Sequence, residues 1–180
     1  MIDSTDLIAE ARAGDQQAFE RLVRPLLAPA HRLAYGMLRD HHAAEDAVQE
    51  AAFKAWRRFS QFRHSNDIRP WFLVIVANEC RSVLRGRWWR TARFADPPEV
   101  GSEPAAEVAA SRTLEIEGAL ATLRFQQRLV VCLYYYLDLS HEEIGQILHV
   151  NPGAVKSRLH RAIENLRRRV DTSQEELGDV

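Results

Sequence analysis

The sequence is poor in the features that mark secreted and membrane-spanning proteins. It has only two cysteines, Cys80 and Cys132, both on apolar helical faces and far apart in the chain, which indicates buried thiols rather than a disulfide or a metal pair. No stretch approaches the roughly 18 to 20 unbroken apolar residues of a membrane span, and the N-terminus lacks the basic-then-apolar layout of a signal peptide. These absences predict a globular protein of the cytoplasm.

Catalytic and metal-binding patterns are also missing. There is no nucleophile elbow, no phosphate-cradling glycine loop and no paired-carboxylate motif. The acidic residues around Asp46 and Glu50, with His41 and His42 nearby, lack the second ligand pair that a metal site between helices needs. We therefore expect no enzyme activity, no metal and no other cofactor. The acidic face is either a solvated helix surface or a docking surface for a protein partner.

Strand-like alternation of β-branched residues is absent, so the sequence predicts an all-α protein. Prolines and a glycine interrupt any apolar period between Phe94 and Ser111, which is typical of a flexible linker. We expect two small helical domains, at residues 1–93 and 112–170, joined by a linker at 94–111 and followed by an acidic tail at 171–180.

Net charge is −1 over the whole chain, but it is unevenly distributed. Residues 1–93 carry 15 Lys+Arg against 11 Asp+Glu, and residues 118–170 carry 8 against 4, so each is basic by +4. Residues 94–117 carry one arginine and six acids, and the tail carries four acids. Two basic domains flanking an acidic connector are compatible with a nucleic-acid partner despite the neutral total.

Helix signals divide the first domain into four parts. We expect a helix from Ser4 to Ala13, a second capped by Asp15, a third from His42 to Phe59, and a fourth running from Pro70 towards Arg90. Pro25 and Pro29 should kink or break the second helix.

The second domain contains the most specific pattern, a helix-turn-helix. Ser140 and Glu143 form a capping box that begins one helix, and Asn151 with Pro152 begins the next. Gly145, in the middle of the first helix, predicts a close crossing of the two helices. The second helix buries one apolar face, and its outer face carries Lys156, Ser157, Arg158, His160 and Arg161. Such a pair of helices suits the major groove of DNA.

A second basic stretch lies at the end of the first domain. From Arg81 to Arg93 there are five arginines, no acid and the pair Trp88 and Trp89. Arginine interleaved with indole suits a nucleic-acid backbone with an unstacked base. The alternative is a solvated helix end whose tryptophans dock on the linker or on a neighbouring helix.

Across nearly the whole chain these motifs resemble the extracytoplasmic-function (ECF) type of RNA polymerase sigma factor. The run Ala44 to Ala51 is similar to the family's core-binding segment, in which an Asp-x-x-Gln-Glu pattern meets the coiled coil of the polymerase β′ subunit. The resemblance therefore implies Asp46, Gln49 and Glu50 as docking residues.

Two DNA-reading segments follow from the same resemblance. The stretch from Phe62 to Arg81 is similar to the segment that reads the minus-ten element and pockets a flipped base, which implies the readers Phe62, Arg63, Asn66, Asn78, Arg81 and Arg85. The stretch from Leu139 to Ala162 is similar to the minus-thirty-five reader. There Lys156, Ser157 and Arg161 would approach base edges and phosphates, with Arg158 as a phosphate clamp.

Three departures from the family pattern stand out. Leu123-Arg124-Phe125 replaces the usual Leu-Pro, Val74 stands where many members carry a basic residue, and Tyr134-Tyr135-Tyr136 is unusually bulky. The tyrosine run is either a packed aromatic patch or a contact for the polymerase β flap.

The resemblance implies a promoter-specificity subunit whose partners are RNA polymerase core and promoter DNA, with an anti-sigma protein as a further candidate. The alternative is a free-standing helix-turn-helix regulator, against which the lack of a heptad dimerisation helix counts.

Overall fold

The computed structural model describes residues 4–63, 67–93 and 118–178, which form helices and the turns between them, with no strand in these ranges. The predicted all-α class is confirmed. Both cysteines are free and buried, as expected. In the described residues no helix is long and apolar enough to cross a membrane.

The first domain consists of four helices and one 3-10 turn. They are α1 (Ser4–Arg12), α2 (Gln16–Leu38), α3 (His41–Arg58), the 3-10 turn Phe59–Gln61 and α4 (Arg69–Arg93). Gly14 takes φ +99° after α1. Asp15 then caps α2 by accepting hydrogen bonds from the amides of Gln17 and Ala18, at 2.8 and 3.0 Å. Asp40 caps α3 through the amide of Ala43. Each predicted start is therefore within a few residues of the observed one.

Pro25 and Pro29 lie inside α2, which remains one helix of 23 residues. The helix does not break at either proline, so that alternative was wrong, and a kink stays a prediction. Each proline removes one backbone donor, but packing of the helix outweighs that loss because Leu22, Val23, Ala30 and Leu33 are buried on its inner face.

An aromatic cluster closes one end of this domain. Phe59 lies 5.2 Å from Phe19 and 5.4 Å from Phe62 between ring centroids, and Trp71 packs 5.1 Å from Phe62. The guanidinium of Arg12 lies 5.7 Å from the centre of the Phe62 ring. Phe62, just after the 3-10 turn, thus packs between Arg12 of α1 and Trp71 of α4.

The second domain begins with helical residues 118–122 (α5). It continues with α6 (Phe125–Val131), a π-helical turn (Cys132–Tyr136), α7 (His141–Leu148) and α8 (Pro152–Gly178). Leu123 and Arg124 separate α5 from α6, which begins at Phe125, and Arg124 is an N-cap that makes no side-chain cap bond. Helix α8 continues past Val170 into the residues expected to form a separate tail.

The helix-turn-helix caps form as predicted. Ser140 and Glu143 exchange both hydrogen bonds of a capping box, and the Asn151 side chain accepts from the amide of Ala154 at 2.7 Å. Gly145 has a different role from the one expected. A Cβ there would lie 2.7 Å from the Val150 carbonyl oxygen, so glycine makes room for the turn backbone rather than for the crossing helix.

The two domains touch each other. Helices α2 and α4 of the first domain contact α6, α7 and the π-helical turn of the second.

Replacing Gly145 with alanine is expected to destabilise the helix-turn-helix. The added methyl group meets backbone, which cannot rotate away, and overpacking of this kind costs about 1–3 kcal/mol. Thermal unfolding followed by circular dichroism measures the effect. Gly86→Ala is the matched control, because Gly86 is also helical and has no atom within 4 Å of the added position. A melting temperature of Gly145→Ala equal to or higher than that of Gly86→Ala would contradict the close contact between Gly145 and the turn backbone.

The capping box also predicts a pH dependence. The backbone N–H of Ser140 donates to the Glu143 carboxylate and lowers the pKa of that group below its ordinary value. A lowered folded-state pKa gives stability that is present above the unfolded pKa and is lost as pH falls through the folded pKa. Glu143→Gln keeps the acceptor without the charge. The free energy of unfolding of the wild type should therefore exceed that of Glu143→Gln by up to about 1 kcal/mol at pH 7. Unfolding titrations at decreasing pH should show this difference vanish in acid.

Candidate nucleic-acid and polymerase interfaces

The outer side of α8 forms a continuous basic surface, called here the recognition face, made of Lys156, Ser157, His160 and Arg161. All four are exposed, while Val155, Leu159 and Ala162 on the opposite side are buried. The spacing of one, four and five residues puts the four on one face of the helix. Arg158 is half-buried and lies beside this face rather than on it.

Two local contacts order the recognition face. The Arg161 Nε donates to the Ser157 carbonyl at 3.2 Å, and His160 Nε2 lies 3.3 Å from a Glu164 carboxylate oxygen. Because the first contact uses only Nε, the exposed Arg161 can still offer its two terminal nitrogens to a phosphate or a base edge.

The expected minus-ten readers on α4 share one stripe. Asn78 and Arg85 are exposed, and Arg81 lies between them at helical spacing. Arg81 is partly covered, because its guanidinium lies 4.6 Å above the Phe125 ring of the second domain. The stripe therefore exists, but its centre faces the other domain.

The loop before α4 places its expected readers differently. Arg63 is exposed, whereas Phe62 is only 2% exposed in the aromatic cluster described above. In this arrangement a base cannot stack on Phe62. Asn66 lies outside the described residues, as do the side chains of Trp88 and Trp89.

The expected docking residues Asp46, Gln49 and Glu50 are all exposed on α3. They line an open groove of about 630 Å³ between α3 and α4, called here the acidic groove, together with Ala47, Phe53, Glu79 and Val83. Phe53 is 55% exposed, an unusual degree for a phenylalanine on a helix of a packed domain.

Lys54 joins the two walls of the acidic groove. Its ammonium lies 2.6 Å from a Glu79 carboxylate oxygen and 3.1 Å from one of Glu50. The hydrogen bond to Glu79 is the main cause that raises the pKa of Lys54 above its ordinary value. Sequence reasoning missed Phe53, Lys54 and Glu79. Phe53, four residues after Gln49 and outside the buried period of α3, was the available signal.

Of the three consecutive tyrosines, two pack against other residues and one is exposed. Tyr134 stacks on His141 with ring centroids 5.4 Å apart, Tyr136 packs against α2, and Tyr135 is 55% exposed. Packing therefore accounts for two of them and leaves Tyr135 as a surface ring.

Comparison with known proteins identifies both domains. The family model described as Sigma-70 region 2 matches residues 22–90, and that described as Sigma-70, region 4, matches residues 113–166. The acidic groove and the α4 stripe fall in the first match, and the recognition face falls in the second.

Curated relatives extend the match along the chain. The ECF RNA polymerase sigma factor SigM of Mycobacterium tuberculosis is 32% identical over 171 residues, covering 92% of this chain and 83% of the relative. The probable RNA polymerase sigma factor RfaY of Xanthomonas campestris pv. campestris is 32% identical over 171 residues, covering 89% of this chain. This chain spans 42% of that relative's length.

A solved structure shares the arrangement of helices. The sigma factor RpoE of Bartonella quintana, in a co-crystal structure with the anti-sigma factor NepR, matches with a TM-score of 0.69 at 25% identity. The match covers 85% of this chain and 96% of that chain. On the two matched sigma regions and the similarity to SigM, this chain belongs to the ECF RNA polymerase sigma factors, the promoter-specificity subunits that direct transcription initiation.

Proposed function

We propose that the chain works as an alternative sigma factor through three surfaces on three helices. The acidic groove beside α3 binds RNA polymerase core, the α4 stripe holds the minus-ten strand, and the recognition face of α8 reads the minus-thirty-five duplex. The observation that carries the proposal is the recognition face, four exposed polar or basic side chains on the second helix of a capped helix-turn-helix. The working domains are residues 1–93 and 112–170, joined by the 94–111 linker.

The acidic groove has the composition of a protein-binding site. Its carboxylates attract a basic partner surface, and Phe53 offers an apolar ring that loses its exposed area on binding. The bridge from Lys54 to Glu50 and Glu79 holds the two walls together before the partner arrives. This chemistry supports Asp46, Gln49 and Glu50 as the contacts to the β′ coiled coil.

The recognition face supports duplex reading. Lys156, Ser157 and Arg161 are the proposed contacts to base edges and phosphates, and Arg158 is the proposed phosphate clamp, which adds affinity without sequence information.

On α4, Asn78, Arg81 and Arg85 supply hydrogen bonds and positive charge to a single strand, with Arg63 at the neighbouring loop. We assign buried Phe62 the role of supporting that loop. Asn66 remains a proposed reader.

Partners beyond the core follow from the exposed surfaces and the relatives. Tyr135 is the proposed contact for the β flap. An anti-sigma protein is a further proposed partner, since RpoE of Bartonella quintana is bound by one. The chain is expected to act in the cytoplasm by binding, with no catalytic step and no cofactor of its own.

A free-standing regulator is the second candidate, because a helix-turn-helix alone would also bind DNA. The acidic groove favours the sigma factor, because an exposed phenylalanine beside carboxylates suits the binding of a protein partner, which DNA binding alone does not require. Binding to RNA polymerase core distinguishes the sigma factor from the free-standing regulator.

A triple variant, Asp46→Ala with Gln49→Ala and Glu50→Ala, is expected to lose co-migration with sigma-free RNA polymerase core on a sizing column, because it removes the polar rim of the acidic groove. The matched control is Glu10→Ala with Gln17→Ala and Glu20→Ala, which likewise removes two carboxylates and one amide, from exposed positions on α1 and α2. Failure of the wild type to co-migrate would favour the free-standing regulator. Retention by the triple variant would place the docking surface elsewhere.

Lys156→Ala and Arg161→Ala are expected to weaken binding of holoenzyme to a duplex selected from a randomised pool. A base contact by Arg161 predicts a loss of about 1–3 kcal/mol in discrimination against unselected DNA, and a phosphate contact by Lys156 predicts a smaller slope of affinity against salt. Fluorescence anisotropy across a salt series measures both. Arg167→Ala, an exposed arginine six residues beyond Arg161 towards the C-terminal end of α8, is the control. Equal losses for Arg161→Ala and Arg167→Ala would remove Arg161 from the reading surface.

A further inference from the structure

Arg12, in the last turn of α1, lies at the edge of the aromatic cluster and close to the loop before α4. The centre of its guanidinium group lies 5.7 Å from the centre of the Phe62 ring, and Arg63 follows Phe62 directly in the chain. Both arginines are exposed, whereas Phe62 is buried. Two exposed positive charges from distant parts of the sequence therefore lie close to one buried ring.

Neither charge has a carboxylate partner in the described part of the chain. Among the residues that the structure describes, Arg12 and Arg63 form no ion pair, and the Arg12 side chain donates no hydrogen bond. Residues 51–63, which lead into the loop, carry four Lys+Arg and no Asp or Glu. The ring restrains the Arg12 side chain without using a hydrogen-bond acceptor, so the N–H groups stay available to an anion.

The position of Arg12 continues the α4 stripe. Trp71, Asn78 and Arg85 recur every seven residues, which puts them on nearly one face of α4 over about 21 Å. Trp71 packs against Phe62 with ring centroids 5.1 Å apart, and Arg12 lies over that same Phe62 ring. A strand that follows the stripe towards the N-terminal end of α4 would therefore pass Trp71 and reach Arg12.

The side chain of Arg12 suits a phosphate group of such a strand. A guanidinium holds its N–H donors in one plane and can bind two phosphate oxygens at once. A contact to the backbone adds affinity that does not depend on base sequence. Because a neutralised phosphate releases its counterions, each such contact also makes affinity more sensitive to salt.

We propose that Arg12 is a phosphate contact for the minus-ten strand, so that the strand-binding surface of the first domain begins on α1. Helix α1 precedes the Sigma-70 region 2 match, which begins at residue 22, so this contact adds to the residues within the match. The inference deepens the proposed function of the α4 stripe and rests on it. The alternative is an Arg12 that only covers Phe62 and stabilises the C-terminal end of α1.

The test uses holoenzyme assembled from RNA polymerase core and this chain. Its ligand is a labelled single strand that the wild-type holoenzyme selects from a randomised pool, and fluorescence anisotropy across a salt series gives the slope of log affinity against log salt concentration. Arg12→Ala should reduce the magnitude of this slope by about 0.7, the contribution of one phosphate contact to a single strand. That change corresponds to about a fivefold loss of affinity at 0.1 M salt relative to 1 M salt.

Three further variants separate the charge of Arg12 from its packing. Arg12→Met keeps an unbranched cover on the Phe62 ring without the charge and should match Arg12→Ala, whereas Arg12→Lys keeps the charge and should restore the slope. Arg21→Ala removes the same charge from an exposed position of α2 and should leave the slope unchanged. Arg21 is the matched control because it lies about 200° around the helix from Phe19, away from the aromatic cluster. Circular dichroism verifies the helix content of every variant.

Neutral phosphates locate the contact on the strand. Each phosphate in turn is replaced with an uncharged methylphosphonate. At one position this replacement should lower the affinity of the wild type but have little effect on Arg12→Ala, because two changes to one contact are not additive. Arg21→Ala should keep the wild-type pattern.

Equal slopes for Arg12→Ala and Arg21→Ala would overturn the inference. A loss of affinity in Arg12→Ala that Arg12→Met restores would also overturn it, because the side chain would then act only as a cover for Phe62. A wild-type chain that forms no holoenzyme, or whose holoenzyme binds no single strand, would instead overturn the proposed role of the α4 stripe, and the Arg12 contact with it.

Discussion

The structure depends on the need to provide partners for the backbone groups at helix ends. A chain made of helices has many such ends, and each exposes donors or acceptors that lack partners within the helix. At the N-terminal ends, backbone amides donate hydrogen bonds to capping side chains, those of Asp15, Asp40, Ser140 and Asn151. Arg128 satisfies carbonyls at two C-terminal ends. These polar contacts set where the helices begin, and apolar burial then determines how they pack.

The local caps also explain why so much of the fold is predictable from sequence. Ser140 with Glu143, and Asn151 with Pro152, act over three or four residues, so their spacing alone indicates the helix starts and the tight turn. The continuity of α2 through Pro25 and Pro29 is not predictable in this way. It depends on long-range burial of the inner face, which outweighs a local preference for a break.

The candidate sites also differ in whether local sequence patterns or long-range contacts determine them. The recognition face follows from helical periodicity, and the structure exposes its residues as a set. The acidic groove needs Glu79 and Val83 from α4 beside α3, a pairing between distant segments that periodicity does not encode. The burial of Phe62 and the contact of Arg81 with Phe125 likewise arise only when the chain is folded. Residue type indicated the kind of chemistry, and tertiary contacts determined which side chains are accessible.

The aromatic cluster around Phe62 determines how the first domain is best isolated. The Sigma-70 region 2 match begins at residue 22, yet the Phe62 ring is covered by Arg12 from α1, and its neighbour Phe59 packs on Phe19. A fragment cut at the family boundary would remove both covers and leave a patch of aromatic rings in water, which favours aggregation. We therefore expect a soluble fragment of the first domain to need α1 and the start of α2, upstream of the matched segment.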